Sequence, residues 1–111
     1  MTTAGTEVAS ITPDATVAEA AAAMQQRHAS ALVVLEGADL VGILTERDLL
    51  QVIVDGDDPA TVPVRRRMTS TVVTATPVTD AIEARELMGR HNIRHLPVVD
   101  DGVVVLSLIH I

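Results

Sequence analysis

The chain has 111 residues, 48% of them hydrophobic, with no aromatic residue, no cysteine and a net charge of −7. That length suits one compact domain or two small interlocked repeats, with a core built only from Val, Leu, Ile, Ala and Met. An acidic surface repels a phosphate backbone, and without aromatic rings there is no stacking platform for bases, so nucleic acid is excluded as a partner. The absence of cysteine rules out disulfides, thiol nucleophiles and thiolate metal sites. Met1 to Ser10 is polar and lacks the basic and apolar regions of a signal peptide, and no apolar run approaches the ~20 residues that span a bilayer. These features predict a cytoplasmic chain with no membrane contact.

In chain order, a short β-type segment ends at Thr12-Pro13, which breaks regular structure. Thr16 and Glu19 have capping-box spacing, so a helix is expected over about Val17 to Arg27, with Val17, Ala20, Ala21 and Met24 facing inward. Two apolar runs follow, Ala31 to Leu35 and Leu40 to Leu44, joined by the Gly-containing turn Glu36 to Asp39, which reads as a hairpin. A second helix is predicted over about Glu46 to Val54, ending before Gly56. Asp55 to Ser70 reads as a linker and entry segment. Its Asp55, Asp57 and Asp58 lack the later Glu of a calcium loop and are taken as solvated.

Shifted by 64 positions, the sequence matches itself without a gap. Thr12-Pro13 falls on Thr76-Pro77, Glu19-Ala20 on Glu83-Ala84, Met24 on Met88, Leu32 on Leu96 and Val34 on Val98. Asp80 takes the capping position of a helix over about Ala81 to Arg90, with Ala81, Ala84, Leu87 and Met88 inward. A strand pair, Leu96 to Val99 and Val103 to Leu106, turns through Asp100-Asp101-Gly102. Each copy is thus a β-α-β-β-α unit too small to bury its own faces, and the two are expected to pack as one α+β module with pseudo-two-fold symmetry. The expected division is residues 1–54 for the first repeat, 55–70 for the linker and 71–111 for the second repeat.

The opening Thr12-Pro13-Asp14-Ala15-Thr16-Val17-Ala18-Glu19-Ala20, the close Leu40-Val41-Gly42-Ile43-Leu44-Thr45-Glu46-Arg47-Asp48-Leu49 and the run His91 to Asp100 resemble the cystathionine-β-synthase (CBS) motif, twice over nearly the whole chain. The resemblance implies a tandem pair, or Bateman module, with two related clefts that take AMP, ADP, ATP or S-adenosylmethionine, and a tendency to homodimerise. It implies regulation rather than catalysis, with no required cofactor. By the family's Ser/Thr-x-x-Asp pattern, Asp48 would hold the ribose and Thr45 the phosphate, with Arg47 assisting. The base would lie near Ile11, Thr12 and Val33, and Arg94 and His95 would reach the phosphate. Thr45 and Asp48 read equally as a helix cap. Two functions therefore stand side by side: an adenosine-ligand sensor, and a ligand-free assembly module.

The second copy departs from the pattern. Leu106 stands where Gly42 does, Ile109 where Thr45 does, and the closing helix is missing. No complete ligand site is expected there, and a C-terminal truncation or a frame-shifted reading of a longer gene is the expectation drawn from the tail. His28, His91, His95 and His110 form no metal set. No nucleophile elbow, Walker loop or dinucleotide fingerprint occurs, which disfavours an enzyme.

Overall fold

A computed structural model describes residues 3–6 and 8–110. They form two compact units, one made of residues 9–72 and the other of residues 3–6 and 8 together with 73–110.

In the first unit the strands β2 (Ser10–Ile11), β3 (Ala31–Glu36) and β4 (Asp39–Thr45) follow the short β1 (Thr3–Thr6) of the other unit. They form a sheet ordered β2-β3-β4, with β2 parallel and β4 antiparallel to β3. Helices α1 (Val17–Arg27) and α2 (Glu46–Val54) have the bounds that the periodicity predicts. The Thr16–Glu19 capping box is formed: the Glu19 amide donates to Thr16 Oγ1 at 3.1 Å, and the Thr16 amide to Glu19 Oε1 at 3.2 Å. Burial phases α1 through Val17, Ala20 and Met24, whereas Ala21 is exposed. In a run of four alanines the larger Val17 and Met24 decide which stripe turns inward, because a methyl group gains little from burial. Ala20, Met24, Leu32, Val34, Leu44 and Val64 make the core.

Val64 belongs to the segment read as a linker and entry segment. It is fully buried, and residues 59–69 are stitched onto the first unit. Val17 and Ala18 donate to Val62 O and Pro59 O, each at 2.9 Å, and the Val64 and Arg65 amides donate to Ala15 O and Pro13 O at 2.8 and 3.1 Å. Thr69 then exchanges two 2.9 Å backbone bonds with Ile43 on the outer edge of β4. This approach explains Gly42. A Cβ there would meet Met68 Sδ at 2.5 Å and Thr69 O at 3.1 Å. Nor are the aspartates simply solvated: Arg67 donates to Asp55 at 2.7 Å and also pairs with Asp57, fastening the segment to the end of α2. The bonds from Arg67 and Gln51 hold the Asp55 carboxyl below its ordinary value, and the carboxylates raise the Arg67 guanidinium. Arg65 pairs with Asp14, and Arg66 is exposed.

The second unit has helix α3 (Ala81–His91) and the hairpin β5 (His95–Asp100) and β6 (Val103–His110). The turn has positive φ at both central residues, Asp101 and Gly102, as a type I′ turn requires. Ala84 and Met88 are buried on α3, while Ala81, at the first helical position, is exposed rather than inward. Asp80 caps α3 by accepting the Glu83 amide at 2.8 Å. The sheet order is β1-β6-β5.

The tail from Leu106, which breaks the repeat pattern, continues β6 as a strand and pairs antiparallel with β1, from Thr3↔His110 to Thr6↔Ser107. By the 64-residue shift, Thr3–Thr6 corresponds to residues 67–70, the segment paired with β4. Each sheet is therefore completed by the segment that precedes the other repeat, and the compact units do not follow the repeat boundaries.

Candidate functional site

The β4–α2 turn gathers the residues with ligand chemistry. Thr45 ends β4 in an extended conformation (φ −116°, ψ 167°) and is the N-cap of α2. Asp48 Oδ2 accepts the Thr45 amide at 2.8 Å and the Thr45 hydroxyl at 3.1 Å, and the Asp48 amide points back at Thr45 Oγ1 at 3.4 Å. The Glu46 amide is taken by Ser30 O at 3.1 Å, which ties the turn to the start of β3. Both bonds to the carboxylate fall on Oδ2. Oδ1 has no protein donor among the described residues, and Asp48 is partly exposed. Arg47 is exposed and pairs with no carboxylate among the described residues. One turn thus presents a half-free carboxylate, a guanidinium and the positive end of a helix.

The other sequence candidates stand on other elements. Ile11 pairs with Val34, and Thr12 follows it, whereas Thr45 pairs with Ala31. Three residues along β3 and two strand spacings across the sheet put the Ile11 and Thr45 backbones roughly 14 Å apart. Ile11 and Thr12 are not gathered around the turn. Val33 is buried on the face of β3 opposite Leu32 and Val34. Arg94 and His95 stand at the start of β5, in the other unit. In that unit Ile109, within β6, holds the place of Thr45.

The pairing of Met68 and Thr69 against Gly42 and Ile43, which fixes the strand leading into Thr45, was not read from sequence. Extending the 64-residue shift to the segments before each repeat carries that signal, because Met68-Thr69 then aligns with Ala4-Gly5 ahead of the first copy.

No helix of the described residues is long and apolar enough to cross a membrane, and no cluster of three metal-binding side chains occurs among them.

The family model for the CBS domain matches residues 1–55 and 64–111. The CBS domain-containing protein YhcV of Bacillus subtilis (strain 168) is 38% identical over 107 residues, which cover 92% of this chain and 76% of that protein. A protein with CBS domains from Burkholderia ambifaria MC40-6 superposes with a TM-score of 0.86 at 33% identity, covering 93% of this chain and 76% of that one. The CBS domain protein PAE2072 of Pyrobaculum aerophilum, solved in complex with AMP, superposes with a TM-score of 0.83 at 26% identity, covering 95% of this chain and 81% of that one.

Proposed function

The chain belongs to the CBS-domain family, and from that premise we propose that it is a regulatory module which senses an adenosine-type ligand, AMP, ADP, ATP or S-adenosylmethionine, at the β4–α2 turn. The observation that carries this reading is the free Oδ1 of Asp48 beside Arg47 and the α2 N-terminus. Asp48 accepts the ribose hydroxyls through Oδ1 while Oδ2 keeps the cap. Thr45, the first-turn amides and Arg47 hold the phosphate or other polar end. The AMP bound to PAE2072 supports adenosine chemistry in this family. The base of such a ligand extends from Asp48 toward Ile11, Thr12 and Val33 across the sheet. The module transmits by population shift, because a ligand that binds one arrangement more tightly favours it.

Isothermal titration calorimetry with AMP, ATP, S-adenosylmethionine and, as a control lacking adenine, ribose 5-phosphate tests the reading. Saturable binding of at least one adenosine ligand and none of ribose 5-phosphate is expected. Heats indistinguishable from dilution across the panel leave the assembly reading in its place.

One observation favours assembly as well. Leu50, Ile53 and Val54 stand three and four apart on α2 and are 61, 67 and 71% exposed. Such a stripe supports a homodimer through α2. Light scattering behind size exclusion is expected to give twice the chain mass, and Ile53→Asp to halve it.

A further inference from the structure

The chain has no cysteine, so sulfur chemistry falls to its methionines. Met24 and Met88 are 4 and 1% exposed, each inside one of the two cores. Met68 differs, because it packs at the rim of the first core and is partly exposed. Its thioether fills the space that a side chain on residue 42 would take: a Cβ on Gly42 would meet Sδ at 2.5 Å and Cγ at 2.9 Å. The fit sets apolar atoms against bare backbone, and the amides around it are already committed. Met68 N donates to Val64 O, and Thr69 and Ile43 exchange both of their backbone bonds, all at 2.9 Å. An oxygen placed on this sulfur finds no donor among those amides, and an unpaired acceptor in such a seat is costly. Water can satisfy it only if the side chain swings out, which takes Met68 off Gly42 and strips the packing beside Thr69. Thr69 in turn braces Ile43, two residues before Thr45.

We propose that Met68 is a reversible oxidation site, and that its sulfoxide releases the entry segment from the edge of β4. The oxidant is hydrogen peroxide. The sulfur lone pair takes one peroxide oxygen, the O–O bond breaks, and the other oxygen collects the proton of the first and leaves as water. Sulfur is oxidised by two electrons and the peroxide is reduced by two. The flexible apolar thioether becomes a polar, chiral sulfoxide, which methionine sulfoxide reductases return to methionine. The first unit thus carries a redox-sensitive latch on the strand that leads into the β4–α2 turn. It is independent of the ligand reading.

The test treats the parent chain and Met68→Leu, which keeps an apolar side chain of similar volume, with hydrogen peroxide. Peptide mass spectrometry follows oxidation at each methionine, and amide hydrogen exchange and melting temperature are read on the products. Met1 is common to both chains, so a difference between them belongs to Met68. Met68 is expected to oxidise before Met24 and Met88. Exchange at the Ile43 and Thr69 amides then rises, and the melting temperature falls by about 4–8 °C. The two methionine sulfoxide reductases, one for each epimer, restore both readings, and peroxide leaves Met68→Leu unchanged in both. The proposal is overturned if Met24 or Met88 oxidises as fast as Met68, if the Met68 sulfoxide changes neither exchange nor melting, or if Met68→Leu loses as much stability as the parent.

Discussion

Gly42→Ala probes how the entry segment holds the strand that carries Thr45. A methyl group at this position meets Met68 Sδ at 2.5 Å, Met68 Cγ at 2.9 Å and Thr69 O at 3.1 Å. The thioether can move aside, because Met has three rotatable bonds. The Thr69 carbonyl cannot move as readily, since it accepts the Ile43 amide at 2.9 Å while Thr69 donates back to Ile43. Alanine in a strand gains about 0.5–1 kcal/mol over glycine by restricting the unfolded chain. Overpacking costs about 1–3 kcal/mol, so a net loss of about 1–2 kcal/mol is expected. That loss lowers the melting temperature by about 4–8 °C, given the scale for a domain of this size. The assay is thermal unfolding followed by circular dichroism, because the chain has no Trp or Tyr to report by fluorescence. Met68→Ala removes two of the three contacts, so in the double variant most of the loss is recovered and the coupling energy is at least ~1 kcal/mol. A Gly42→Ala chain as stable as the parent, or effects that simply add, would refute the packing argument.

Val64→Ala removes two fully buried methyl groups and is expected to cost about 2 kcal/mol in urea titration, whereas a solvated linker residue would cost almost nothing. Asp48→Ala loses the α2 capping box and about 1 kcal/mol, and Glu19→Ala loses the α1 box with a cost of similar size; both are read from melting curves. The depressed Asp55 carboxyl contributes stability that is complete above its unfolded value, near 3.8, and is lost as pH falls through the lower folded value. Acid titration of melting temperature should therefore show an extra decline below about pH 4, and Arg67→Leu should remove it.

The elements with local signals were legible. α1 and α2 have their predicted bounds because the Thr16–Glu19 and Thr45–Asp48 pairs mark their starts and the apolar spacing runs to their ends. β1 was not legible, because Thr-Ala-Gly-Thr has no strand alternation of its own and is a strand only through its pairing with β6. The packing of the entry segment was hard to read for a related reason. Its charges and prolines dominate the composition, while its packing depends on Val64 and Met68, two apolar residues among arginines. Ala21 and Ala81 were assigned to the wrong face because a methyl group says little about helix phase. The candidate site was half legible. A cap and a ribose clamp ask for the same Thr-x-x-Asp pair; the structure shows the cap, with both protein bonds on Oδ2 and no protein donor to Oδ1 among the described residues. Ile11 and Thr12 are grouped with Thr45 by family pattern alone, since no local signal links a β2 residue to the β4–α2 turn.

The most direct test of the ligand reading is the shift in melting temperature that AMP, ATP and S-adenosylmethionine each produce in the parent chain, in Asp48→Ala and in Glu19→Ala, each referred to its own ligand-free curve. A ligand at 100 times its dissociation constant adds about 2.7 kcal/mol. The expected result is a shift of several degrees in the parent and in Glu19→Ala, and none in Asp48→Ala. An equal shift in all three chains, or none in the parent with any of the ligands, would contradict the assignment of the site to Asp48.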